Sequence, residues 1–265
     1  MQIFEPHIHM TSRTTNDYEA MAQSGIRMVL EPSFWIGESR RRSGTFLDYF
    51  DLITNYETQR AAQYGIQHFA AVSVNPKEAN DKELSEAVLK ELPRYLEHPM
   101  VLAVGEIGFD RISDSEEYFF RKQLELAQEF RLPVLIHSPH INKSDGILKM
   151  IKIIQEMKYN PNMVLMDHNV EDTTPLSLEA GFWTGHTVYP MTKLSPERAC
   201  EIVLRHGVNK MMLNSSADWG PSDPLMVYHT LKELDKRGLS ADDQQTLAWE
   251  NPFNFFAQSG KLKLH

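Results

Sequence analysis

Two histidines one residue apart, His7 and His9 in the segment Pro6-His7-Ile8-His9-Met10, are the residues that most directly suggest chemistry. In a β-strand, residues i and i+2 face the same side, so the pair aims two imidazoles at one point, as a metal ion requires. Two histidines alone also suit a surface or a core. The decision rests on whether later strands end in further ligands. Glu106 follows the apolar run beginning at Val101, His137 closes Pro133–His137, His168 closes Met163–His168, and Asp218 follows Lys210–Asn214. Each has an ordinary alternative: a hydrogen-bonded core histidine, a bridging carboxylate, an aspartate capping the next helix. Their convergence on one place is what favours a metal.

That convergence depends on the elements that carry them. Short β-branched or apolar runs lie near Ile3–His9, Ile26–Glu31, Ile66–Val74, Val101–Phe109, Pro133–His137, Met163–His168, Phe182–Thr187 and Lys210–Asn214. Helix-period stretches such as Glu116–Phe130, Gly146–Lys158 and Pro196–His206 separate them, the last with Ser195 as N-cap, Pro196 at the first position and Gly207 as the stop. Eight β-then-α units imply a parallel sheet with right-handed crossovers. They predict an α/β fold of the closed (β/α)8 TIM-barrel type, with residues 1–265 as a single domain. An open dinucleotide-binding sheet is disfavoured, because Met10-Thr11-Ser12-Arg13-Thr14-Thr15 after the first run contains no glycine-rich turn. In such a barrel the C-terminal ends of the strands carry the site. All six candidate ligands belong to that mouth.

Composition narrows the classes further. The chain has 265 residues, 42% hydrophobic and 24% charged, which suits an ordinary globular protein. No run approaches the roughly 20 apolar residues of a membrane span, and strand-like residues begin at Gln2 with no signal-peptide pattern. Cys200 is the lone cysteine, so no internal disulfide forms and a reducing, cytoplasmic location is expected. A formal net charge of −9 argues against gripping long duplex nucleic acid. It leaves room for a short oligonucleotide or a single phosphate in a locally basic pocket.

The ligand order resembles that of the TatD family of metal-dependent hydrolases in the amidohydrolase superfamily. The resemblance is carried by His7-X-His9, by Gly105-Glu106-Ile107-Gly108-Phe109-Asp110, by one histidine on each of strands 5 and 6, and by Asp218 after strand 8. The closing Glu250-Asn251-Pro252-Phe253-Asn254-Phe255-Phe256 resembles that family's terminal helix. The segments SRTTNDYEAM, NPKEAND, MDHN and SSADWG are more similar to the TatD-like hydrolase of Ebo-type biosynthetic gene clusters than to the DNases. Asn169-Val170 after His168, and Trp219-Gly220 after Asp218, depart from the DNase pattern. The resemblance implies that His7, His9 and Asp218 hold one ion, His137 and His168 a second, and that Glu106 bridges them.

Imidazole and carboxylate ligands suit two divalent ions, Zn2+ or Mn2+, with Mg2+ also possible. Metal-activated water is then the expected nucleophile, and Asp218 the catalytic proton carrier. No Ser, Cys or Lys nucleophile is required, and no G-X-S-X-G elbow is present. Metal-bound histidines usually donate their other N–H to an acceptor. Asp167, beside His168, is expected to face the opposite way into helix packing, whereas Glu31 at the end of strand 2 is a candidate for the site.

The loop from Ser33 to Arg42 is the expected substrate reader, combining Trp35 with Arg40, Arg41 and Arg42, whose forks suit phosphate or carboxylate. A solvated basic loop is the plainer alternative. His140, Asn142, Lys143, His186, Tyr189 and Trp219 lie on other top-face loops, and His140 and Trp219 join the substrate-binding set. The expected function is hydrolysis of a phosphoester or related ester bond, in a small molecule. Three alternatives remain open: a deoxyribonuclease acting on short single-stranded DNA, an amidohydrolase cutting a C–N or C–O bond, and a non-catalytic metal-binding accessory protein.

Overall fold

In the computed structural model, which describes residues 1–262, eight parallel strands are ordered β1 to β8 in a single sheet. They are β1 (Ile3–Glu5), β2 (Ile26–Pro32), β3 (Gln67–Val72), β4 (Val101–Gly108), β5 (Val134–His137), β6 (Val164–Met166), β7 (Trp183–Thr187) and β8 (Met211–Asn214). Each strand after β1 follows a helix-bearing crossover, the arrangement that the alternating pattern predicts. Beyond the last rung, Ser216 N–H donates to His7 O at 2.8 Å and His9 N–H donates to Ala217 O at 3.0 Å. These two bonds join the segments after β1 and β8. The sheet is thereby a nearly closed TIM barrel.

Boundaries differ from the sequence reading mainly at strand ends. β1 stops at Glu5 instead of reaching His9, because Pro6 has no N–H to continue the ladder. The helix read as Glu116–Phe130 starts at Asp114, with Ser113 accepting from the Glu116 N–H and the Glu116 side chain returning to the Ser113 N–H. The helix read as Gly146–Lys158 runs Lys143–Glu156. Pro196–His206 is as expected, and its Gly207 cap has φ 78°, a conformation that favours glycine.

Alternation along the strands divides the core into an inner and an outer layer. Phe4, Met28, Leu30, Phe69, Ala71, Leu102, Leu135, Leu165 and Met212 cluster together with Phe255 and Phe256 of the terminal helix, Asn251–Ala257. Neighbouring strand residues such as Val29, Val72 and Val104 pack outward in the layer beneath the crossover helices. The terminal helix is tied to the barrel by Asn251, whose amide donates to Val208 O at 2.6 Å and Met211 O at 2.8 Å. Phe256 lies 5.5 Å from Phe4, and Phe255 5.8 Å from Trp183, measured between ring centroids. The closing motif is thus a structural plug remote from the ligand-bearing strand ends.

Truncating a fully buried phenylalanine removes both transfer free energy and packing. Phe256→Ala is expected to lower unfolding free energy by about 3–5 kcal/mol, read as a lower denaturant midpoint. A midpoint equal to that of the parent protein would contradict the plug.

Candidate metal centre

The site is built where the chain leaves the strands. After Pro6, Ile8 N–H donates to Leu30 O at 3.1 Å, so the His7–His9 segment is clamped between β2 and the stretch following β8. Glu5 lies beneath it, accepting from the N–H groups of Ser215 at 3.1 Å and His7 at 3.3 Å. Burial pushes Glu5 up to about 8, against the pull of those two donors. His7 and His9 still meet, with their Nε2 atoms 3.2 Å apart. Glu106 comes from within β4, His137 is the last residue of β5, and His168 lies two residues past β6.

One carboxylate oxygen stands among three imidazoles. Glu106 Oε1 is 3.5 Å from His7 Nε2, 3.4 Å from His137 Nδ1 and 3.3 Å from His168 Nε2. His168 Nε2 and His137 Nδ1 are 3.1 Å apart. The other Glu106 oxygen accepts from the Asn75 amide at 3.1 Å. Burial opposes the charge on Glu106, but the surrounding histidines hold its pKa well below the usual carboxylate range. Burial likewise holds His9 and His168 well below the ordinary histidine value. The imidazoles of His9 and His168 are therefore neutral at neutral pH, and a neutral imidazole is a ligand.

Outer partners decide which nitrogen is free. His7 Nδ1 donates to Asp167 Oδ2 at 2.5 Å, leaving Nε2 to face the cluster. Thr187 directs its hydroxyl proton to Asp167 Oδ1 at 3.4 Å, so it accepts from His168 Nδ1 at 2.6 Å, and His168 Nε2 is a lone pair. Two ring nitrogens and a carboxylate oxygen thus face one another in a buried place. Such a donor set is complementary to a cation. The residues present therefore fit a divalent metal.

Asp167 corrects the sequence reading, which turned it away from the site. β6 ends at Met166 and His168 has φ 58°, so strand alternation no longer applies where Asp167 sits. Its ligand atom lies within 4.8 Å of those of His7, Glu106 and His168. Both oxygens are nevertheless occupied: His7 takes Oδ2, while Asn214 Nδ2 at 2.9 Å and the His168 N–H at 2.7 Å donate to Oδ1. Asp167 is an orienting group. Burial works against its charge, but His168 and the His7 hydrogen bond hold its pKa far below the usual range. Gly185 on β7 makes the space, since a Cβ there would stand 2.2 Å from Asp167 Oδ1.

Above this floor is a cavity of about 190 Å3 whose wall includes His9, Glu106, His137, His168 and Asp218. Asp218 is at its edge, where Oδ1 accepts from the Tyr189 hydroxyl at 3.0 Å and from the Gly220 N–H at 2.8 Å. Gly220 is required there because a Cβ would fall 2.2 Å from the Tyr189 oxygen. Arg13 donates to the Asp218 carbonyl, and Arg60 donates to the Arg13 carbonyl at 2.6 Å, fixing the Asp218 turn. Trp35 and His140 line the cavity, and burial pushes His140 down to about 4. Trp219 is 55% exposed and stacks 5.7 Å from Phe34, which itself stacks 4.1 Å from His9.

The three arginines lie elsewhere. Arg40 is buried in an ion pair with Glu78 at 2.5 Å, between the rings of Phe46 and Tyr49, and donates to Phe34 O at 2.7 Å. Its guanidinium braces the loop that carries Phe34 instead of reading substrate. Arg41 and Arg42 are exposed and flank a separate recess with Ile36 and Thr45. Glu31 stands outside the imidazole cluster: it accepts from His68 Nε2 at 2.8 Å and from the Thr11 N–H at 3.1 Å, holding the turn after His9.

Sequence reasoning missed Asn75, Thr187, Asn214 and Lys193, whereas Phe34 lies in the Ser33–Arg42 loop it singled out. Asn214 is the last residue of β8 and Asn75 follows the apolar run that contains β3, so the strand-end rule applied evenly would have found both. Lys193 carries no such signal.

A model described as TatD related DNase matches residues 5–257. An uncharacterized metal-dependent hydrolase of Methanocaldococcus jannaschii is 28% identical over 259 residues, covering 96% of this chain and 99% of its own. The crystal structure of a TatD-like protein from Archaeoglobus fulgidus superposes with a TM-score of 0.80 at 26% identity, covering 96% of this chain and 99% of that one. A 3'-5' ssDNA/RNA exonuclease TatD of Erwinia tasmaniensis is 37% identical over 90 residues, 31% of this chain and 34% of its own.

Removing an orienting carboxylate typically costs about 10–100-fold in metal affinity. Asp167→Ala is expected to lower Zn2+ affinity by that amount in competition with a chromophoric chelator. Unchanged affinity would strip Asp167 of its role.

Proposed function

Because the chain belongs to the TatD family of metal-dependent hydrolases, we propose that it cleaves a phosphoester or related ester bond in a small molecule. The carrying observation is the Glu106 oxygen surrounded by the ring nitrogens of His7, His137 and His168. In this reading His7, His9 and Asp218 would hold one divalent ion and His137 and His168 a second, with Glu106 contributing to both; Zn2+ or Mn2+ would suit the donors, as could Mg2+. Such ions would supply Lewis acidity toward an ester oxygen and lower the pKa of water from about 16 toward about 7.

The chain's own residues prepare and complete the reaction. Asp167 and Thr187 keep two imidazole lone pairs directed inward, and Asn75 leaves one Glu106 oxygen free for the cluster. Asp218 accepts the proton of the attacking water and delivers it to the leaving oxygen. Tyr189 and Gly220 hold its carboxylate for that task. Phe34 and Trp219 shield one side from solvent, which strengthens the electrostatics inside.

The small cavity, the net charge of −9 and Trp219-Gly220 support a small substrate over a long strand. The segments SRTTNDYEAM and SSADWG support a place beside the TatD-like hydrolases of Ebo-type clusters. A second reading, a nuclease of short single strands, draws on the Erwinia relative's name. Residues 1–265 are taken as one catalytic domain.

Chelation should abolish hydrolysis by the purified protein, and Zn2+ or Mn2+ should restore it. Asp218→Ala should reduce kcat by about 100-fold or more while leaving thermal unfolding near that of the parent. Turnover that survives this change would remove Asp218 from proton transfer. A panel of p-nitrophenyl phosphate, p-nitrophenyl acetate and short single-stranded DNA should show preference for the first; degradation of DNA alone would replace this reading with the nuclease.

A further inference from the structure

One cation at the mouth has no part in holding metal. Lys193 follows β7, and its Nζ is 3.4 Å from Ser216 Oγ, which is in turn 3.4 Å from His7 Nε2. The ammonium also lies 5.3 Å from the centre of the Tyr189 ring. Among the described residues, no carboxylate oxygen comes within 4.0 Å of it. Across the cavity, Lys77 has a partner, Asp110 at 3.3 Å, and rests over Trp35. His140, held down to about 4 by burial, is uncharged at neutral pH. Glu106, Asp167 and Asp218 favour its charge only from a distance, so an ammonium that touches no carboxylate keeps its hydrogen-bond donors open to an incoming anion.

Part of the wall is aromatic. Phe34 stacks on both His9 and Trp219, with Trp35 inclined to it at 62°. The cavity of about 190 Å3 thus combines the imidazole cluster, the Lys193 cation and the flat apolar rings of Phe34 and Trp35. A carboxylic ester or amide brings no charge for the ammonium. A phosphodiester brings one negative charge and a second chain that must leave the cavity. A terminal phosphate brings up to two negative charges and one leaving group.

We propose that Lys193 is the specificity-determining residue of the site: its ammonium takes a non-bridging oxygen of a terminal phosphate over the imidazole cluster, and the substrate is a small phosphate monoester. This rests on the phosphoester reading above. The leaving group lies against Phe34 and Trp35, which line the cavity. Water adds to phosphorus, the bond from phosphorus to the ester oxygen breaks, and the water proton passes to that oxygen, giving an alcohol and inorganic phosphate.

The test titrates inorganic phosphate calorimetrically into metal-loaded parent protein, Lys193→Met and Lys193→Arg. Loss of one charge-assisted hydrogen bond should weaken phosphate binding by roughly 10–100-fold in Lys193→Met, and Lys193→Arg should recover most of it. In the same variants, kcat/KM for p-nitrophenyl phosphate should follow the binding loss, and that for p-nitrophenyl acetate should not. Equal phosphate affinity in parent and Lys193→Met overturns the proposal, as does a Lys193→Arg protein that binds as poorly as Lys193→Met. Should Lys193→Met fail to fold, Lys193→Gln takes its place. A parent protein that binds phosphate through Lys193 yet cleaves only carboxylic esters or amides overturns the monoester assignment and the phosphoester reading together, leaving only the anion contact. Cleavage of p-nitrophenyl phosphate with no dependence on Lys193 overturns the proposal and leaves that reading intact.

Discussion

Crowding of imidazole nitrogens around Glu106 Oε1 is the constraint to which the upper half of this barrel answers. Three of them stand 3.3, 3.4 and 3.5 Å from that oxygen in a place largely closed to water. Rings so close keep their edges directed at one point only when they are held from behind. Asp167 and Thr187 do so from the far edges of His7 and His168. Asp167 is itself fixed by Asn214 and the His168 backbone, which ties β1, β6, β7 and β8 into one support. That support rigidifies the site, while among the described residues His137 Nε2 and Asn214 Oδ1 find no hydrogen-bond partner. The donors gathered at the centre are what a divalent cation would satisfy.

Such a centre can exist only because stability is secured elsewhere. The apolar inner layer and the plug formed by Phe255 and Phe256 sit away from the strand ends that carry the ligands. That separation is a general property of TIM barrels, in which one face holds the fold and the other the chemistry. Here Pro6 marks the transition within β1. It ends the ladder and lets the next three residues bond alternately to β2 and to the segment after β8, closing the barrel where His7 and His9 are needed.

What could be read in the sequence follows from this division. The barrel was legible because apolar runs and helical periods recur in order, and the mouth was legible because several runs end in a histidine or a carboxylate. Asp167 was not, since alternation was extended past Met166, where the backbone turns to the positive φ of His168. Arg40 misled for a different reason. Three adjacent arginines look like a basic patch, but a sequence cannot show that Glu78, Phe46 and Tyr49 form a pocket that takes one of them inward. Lys193 was invisible because a sequence cannot show that, among the described residues, its ammonium reaches Ser216 and Tyr189 at the mouth and touches no carboxylate.

Charge at two length scales explains how an acidic protein can present an anion site. At physiological ionic strength a charge is screened over about 8 Å, so a small ligand in the mouth senses chiefly the groups lining it. There, among the described residues, Lys193 touches no carboxylate, Lys77 pairs with Asp110, and the carboxylates of Glu106 and Asp218 are those a bound cation would offset. A long polyanion instead extends beyond the mouth and meets a surface whose sum, with the chain at −9, is repulsive. On the proposed reading, that charge distribution would penalise a strand in proportion to the length lying outside the cavity. Selection by size would then begin in the electrostatics, before any side chain reads the substrate's shape.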